Sequence, residues 1–208
     1  MKQLVLISVL LLSISSFAQN DAQYVEGLLR DHVEALQAEG VTEIFVRAHK
    51  CEGNVQRFML RDGSWCTSNG TYIETAVVYA KDEQLYLTKI DNCGLFKTVK
   101  LEDPKIFAYY KEHEQTLKTE RLKDYDTDVP YTDTKARTEV YNCRWAYVFF
   151  TGTETFNSRY DEIQLTNDPE HPNKNFEYNN NHPLVALEAM VDDTLKSLES
   201  QGKLNRKY

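Results

Sequence analysis

The first twenty residues constrain this chain more than any other segment. A cation at Lys2, an apolar run from Leu4 to Leu12 and small residues at Ser16 and Ala18 follow one another in the order of a secretory signal peptide, with cleavage after Ala18. A membrane span needs about 20 apolar residues, and Ser13, Ser15 and Ser16 end this run too early. A lipid anchor would need a cysteine at the cleavage site, whereas the first cysteine is Cys51. Residues 1–18 are therefore expected to leave. Residues 19–208 then fold as one exported domain, in the periplasm or the extracellular medium, with no membrane insertion of the mature chain.

Export changes the meaning of Cys51, Cys66, Cys93 and Cys143. No two form a C-x-x-C pair, so a structural zinc site has little support, and an oxidising compartment favours disulfides. Four cysteines allow three pairings, among which sequence does not choose. The working expectation is Cys51–Cys66, closing a local hairpin, and Cys93–Cys143, tying the central sheet to a late strand.

The formal net charge is −8, and loss of Lys2 makes it one unit more negative. Such acidity repels nucleic acid and anionic lipid. It favours solubility and also suits a basic partner.

Apolar residues at helical spacing predict a helix from Asp21 to Glu39, with Asn20 or Asp21 as N-cap and Gly40 just past its end. Strands are predicted at Thr42–Lys50, Val55–Arg61, Tyr72–Ala80, Gln84–Ile90 and Phe96–Leu101, with turns at Gly53-Asn54 and Lys81-Asp82-Glu83. The apolar run Thr75–Ala80 suits a central strand. Asp103-Pro104 opens a second helix carrying Ile106, Phe107, Tyr110 and Leu117. Residues 118–138 lack a period and read as loop. A hairpin of Val140–Phe150 with Thr155–Leu165 turns at Gly152, and Thr166–Pro183 reads as a long loop. Pro183 starts a last helix with Leu184, Leu187, Val191, Leu195 and Leu198 as its stripe. The fold class is α+β: a mainly antiparallel sheet of about seven strands, with N-terminal, middle and C-terminal helices packed on it.

Motifs that carry chemistry are few. Asp124-Tyr-Asp126-Thr-Asp128 begins like a calcium-binding EF-hand loop, but Val129 and Lys135 stand where glycine and glutamate are needed. His113 lacks a second histidine at Leu117, so the zinc-protease helix motif is absent, and a partly buried structural histidine is expected. His171 and His182, with Asp168, Glu170 and Glu177, could supply metal ligands or an acid/base pair. Asn181 or His182 equally suits a cap on the last helix. Nucleophile-elbow, phosphate-loop and dinucleotide patterns are absent, and no cofactor is expected.

The chain is rich in aromatics, with thirteen tyrosines, nine phenylalanines and two tryptophans. Tyr109, Tyr110, Tyr125, Tyr131, Tyr141, Trp145 and Tyr147 are candidates to line a groove for a sugar, a peptide or a protein, although strands favour these residues in any case. With His171 and His182, Tyr109, Tyr110, Tyr125, Tyr131 and Trp145 form the candidate binding set.

The Phe17-Ala18-Gln19 junction, the segment Tyr79-Ala-Lys-Asp-Glu-Gln-Leu-Tyr-Leu-Thr-Lys-Ile-Asp-Asn-Cys93 and Pro104-Lys-Ile-Phe-Ala-Tyr-Tyr110 together resemble small exported bacterial proteins of unassigned function. The likeness covers the middle third of the chain. It implies bacterial export and no particular activity.

Missing catalytic motifs, acidity and aromatic richness favour an exported binding domain whose ligand is a protein, a small molecule or a saccharide. An inhibitor or immunity-like role is one version. The alternatives are a hydrolase or metal-dependent enzyme built on the His171/His182 loop, and a structural component of the cell envelope.

Overall fold

The computed structural model describes residues 20–128 and 142–207. The expected signal peptide, Tyr131 and Tyr141 lie outside them.

Helix α1 (Ala22–Ala38) starts where Asp21 accepts the Tyr24 amide at 2.9 Å, the N-cap expected of a short acidic side chain. Strands β1 (Glu43–Cys51), β2 (Arg57–Met59), β3 (Trp65–Thr67), β4 (Ile73–Lys81), β5 (Gln84–Asp91), β6 (Gly94–Leu95) and β7 (Val99–Leu101) follow. Helix α2 (Lys105–Thr119), strands β8 (Cys143–Thr151) and β9 (Thr155–Asp161), a 3-10 turn (Glu162–Leu165), short helix α3 (Phe176–Asn180) and helix α4 (Pro183–Ser200) complete the order.

Seven strands form one antiparallel sheet in the order β6-β5-β4-β1-β8-β9, with β7 also paired to β5. The apolar strand β4 lies inside it, between β1 and β5, as a run without a polar face requires. The β4–β5 hairpin closes over Asp82-Glu83, both at positive φ, which gives the backbone twist that two-residue hairpins demand.

Side-chain alternation along the strands sorts the core into two layers. Phe45, Ala76, Val78, Leu87, Tyr147 and Phe149 face α2 and α4, while Ile44, Val46, Val77 and Ile90 face α1. The predicted α4 stripe Leu184, Leu187, Val191, Leu195 and Leu198 is buried throughout. Fully burying one such side chain is worth about 1.5–3 kcal/mol.

Several expectations change. The disulfides are Cys51–Cys143 and Cys66–Cys93, not Cys51–Cys66 and Cys93–Cys143. Cys51 and Cys143 are register partners in neighbouring strands, although they are 92 residues apart in sequence. Gly53-Asn54 does not join a paired hairpin: β1 pairs with β4 and β8, and β2 pairs with β3. The strand expected over Thr155–Leu165 stops at Asp161, where Asp161 and Gln164 form a capping box. The long loop contains α3 and is pinned by Asn173 and Asn179, whose buried amides hydrogen-bond backbone from Gln164, Thr166 and Lys123. Asparagine supplies both donor and acceptor, so a buried irregular segment can satisfy its peptide groups.

Candidate functional site

The expected site residues fall into different environments. Tyr110 is fully buried in the α2 side of the core between Phe45 and Phe149, and burial pushes its phenol up to about 12. Tyr147 is buried as well, donating to Glu188 at 2.7 Å. Tyr109, half-buried, lies tilted against His113 at 4.3 Å between ring centres. Trp145 is stacked between His49 at 4.8 Å and Tyr160 at 4.9 Å.

Tyr125 and His171 do meet. The Tyr125 hydroxyl donates to the His171 carbonyl at 2.5 Å and accepts from the Asp168 amide at 3.2 Å. His182 is buried as the N-cap of α4, its Nδ1 accepting the Leu184 amide at 3.1 Å. Burial holds the His182 imidazole below its ordinary range, which keeps that acceptor unprotonated. In the acidic stretch, Lys174 pairs with Asp126 at 3.1 Å and Asp128 at 2.6 Å, a side-chain cation where an EF-hand would place calcium.

A network of four charged side chains lies inside the fold. Arg47, 1% exposed, donates from Nε to both Glu188 carboxylate oxygens at 3.0 Å and from Nη1 to Glu74 at 2.8 Å. Lys89 meets the other Glu74 oxygen at 2.5 Å. Burial alone would raise the Glu74 carboxyl, but Lys89 and Arg47 hold it below the usual carboxylate range. Each charge has a partner of opposite sign, as burial requires. These side chains belong to the scaffold. Sequence reasoning missed them because alternation marks Arg47 only as a core position and says nothing of its partner on α4.

The opposite case is the two-stranded ribbon. Val55 beside it, Met59 on β2 and Trp65 on β3 are 53%, 68% and 56% exposed, three of the four large apolar side chains exposed among the described residues. Met59 and Trp65 are register partners, so they share one face, where the Arg57 guanidinium also lies 4.3 Å from the Trp65 ring centre. The other face anchors. Cys66 is bonded to Cys93, and Phe58 packs against Tyr72 and under Arg206. Gly63 at positive φ and the Asp62 side chain, which accepts the Ser64 amide at 2.9 Å, make the turn.

Beside the ribbon, the C-terminal residues return to the sheet. Lys97 donates its amide to the Asn205 carbonyl at 2.7 Å, and Lys207 donates to Leu95 at 2.9 Å. Arg206 grips Asp91 through two hydrogen bonds, of 2.5 and 2.7 Å, with its guanidinium over Phe58 and Phe96. Between ribbon and tail is an open cleft of about 280 Å³, lined by Met59, Arg61, Lys89, Asp91, Phe96 and Arg206 among others. Arg61, Lys89 and Arg206 line it against Asp91 and Glu199, an excess of one cation on a chain whose net charge is −8. This side is locally cationic.

Sequence reasoning had singled out Trp145 and passed over Trp65. The signal was Asp62-Gly63, a turn pair between Arg57-Phe-Met59 and Trp65-Cys-Thr67 whose alternation would have put Trp65 and Met59 opposite Cys66 and Phe58. Comparison with protein-family models, curated proteins and solved structures gives no match. Among the described residues, no helix is long and apolar enough to cross a membrane.

Proposed function

We propose that the chain is an exported, non-enzymatic binding domain whose contact face is the β2–β3 ribbon with its neighbouring cleft. The observation that carries this reading is the Met59–Trp65 pair, exposed on a ribbon whose other face is fastened by a disulfide. Trp65, already in contact with the Arg57 guanidinium, loses little conformational freedom on binding, and tryptophan and arginine are enriched at binding hot spots. Two disulfides suit an oxidising compartment. The occupant fitted by this face is an acidic protein segment carrying an apolar anchor: Arg57, Arg61 and the tail cations attract it, and Met59 and Trp65 receive the anchor. An inhibitor that masks such a segment differs from the sequence-based expectation, in which the chain's acidity suits a basic partner.

The test is selection of displayed random peptides on the oxidised full chain, at low and high salt. Acidic sequences with an aromatic or leucine anchor should be enriched, less so at high salt. Equal enrichment on a chain carrying Met59→Ser and Trp65→Ser, or a preference for basic peptides, contradicts the proposal.

A further inference from the structure

We infer that reduction of the Cys51–Cys143 disulfide turns His49, Cys51 and Cys143 into a three-ligand site for zinc(II). The ligand atoms of these residues lie within 4.8 Å of one another, the one such group of histidine, cysteine and acidic residues among the described residues. The geometry follows from the sheet. His49 and Cys51 alternate onto one face of β1, and their register partners on β8 are Trp145 and Cys143. Trp145 stacks on the imidazole at 4.8 Å with planes 6° apart, which fixes the ring, and His49 Nε2 points at Cys51 Sγ from 3.4 Å.

Zinc takes sulfur at about 2.3 Å and imidazole nitrogen at about 2.0–2.1 Å in tetrahedral sites, so its sulfur–nitrogen edge is about 3.5 Å and its sulfur–sulfur edge about 3.8 Å. The first edge is already present. The second needs only that the two sulfurs, once unbonded, relax apart at the half-buried end of the β1–β8 ladder. The fourth position is left for water or another small ligand. Cys66–Cys93 offers no comparable group, having no histidine among its close ligand atoms.

The chemistry requires a dithiol reductant. Its thiolate attacks one sulfur of the bridge to form a mixed disulfide, and its second thiol displaces that intermediate. Two electrons and two protons pass to Cys51 and Cys143 while the reductant becomes a disulfide. Zinc then replaces the two thiol protons, which go to solvent.

The experiment uses the full chain reduced with a phosphine, which binds metal weakly, followed by titration with cobalt(II) as a spectroscopic stand-in and then zinc(II). Expected are one zinc per reduced chain, thiolate-to-cobalt charge-transfer absorption with tetrahedral cobalt bands, and no binding by the oxidised chain. His49→Gln should weaken binding at least about tenfold while leaving the circular dichroism of the oxidised chain unchanged. A Cys66→Ala, Cys93→Ala variant should still bind, and Cys51→Ala, Cys143→Ala should not. The inference is overturned if the reduced chain binds zinc no better than Cys51→Ala, Cys143→Ala, if His49→Gln binds as tightly as the parent, or if the reduced chain unfolds and binds only in that state.

Discussion

Two arginine–aromatic groups, one beneath α4 and one on the β2–β3 ribbon, use the same side-chain types to opposite ends. Beneath α4, Arg47 is held by Glu188 and Glu74 with Tyr147 completing the Glu188 contacts, and nothing is left to offer a ligand. On the ribbon, Arg57 lies over Trp65, and both Trp65 and Met59 remain largely exposed. The difference lies in what each group has already bound. A buried charge must be neutralised within the fold, so its presence speaks of architecture. A large apolar side chain left in water on a disulfide-anchored support is the observation on which the proposed contact face rests.

The largest effect is expected at the buried group. Glu188→Ala should cost about 3–5 kcal/mol, because it strands the Arg47 guanidinium without its main partner. Chemical denaturation measures this, and a loss below about 1 kcal/mol would show that Arg47 is solvated in the folded protein. A smaller effect is expected at the α4 cap. His182 titrates below its ordinary value of 6.5 because burial disfavours its charge. The stability it contributes is therefore complete above pH 6.5 and is lost as pH falls from there through the depressed folded value. Removing the cap altogether, as in His182→Ala, should cost about 1 kcal/mol. His182→Asn caps without titrating, so the difference between the two stability–pH curves isolates the histidine from His32 and His49, which burial also holds low. Parallel curves would refute the linkage. Smallest of all, Arg57→Ala with Arg61→Ala should leave the melting temperature within about 2 °C, since exposed charges add under about 0.5 kcal/mol. The same pair should slow association with an acidic peptide and flatten its salt dependence, as stopped-flow kinetics would show.

Much of the scaffold was legible because it obeys short-range rules. The α4 stripe, Pro183 at the start of that helix and the Asp82-Glu83 hairpin all follow from periodicity and turn chemistry within a few residues. The disulfide pairing was not legible, because it depends on β1 lying between β4 and β8, which no local pattern encodes. The same holds for the Arg47–Glu188 contact. Tyr110 shows the opposite difficulty: an aromatic with a polar tip looks the same in sequence whether it lines a groove or fills a core. Trp65 was overlooked because its strand has only three residues, too few for alternation to stand out from a loop.

The most direct test of the ribbon as contact face is calorimetric titration of a peptide selected on the native chain into that chain and into the Met59→Ser, Trp65→Ser variant. The variant should lose about 2 kcal/mol or more of binding, roughly thirtyfold, while its melting temperature stays within about 2 °C of the parent, as surface substitutions allow. Unchanged affinity in a variant that folds as stably as the parent would contradict the ribbon as contact face.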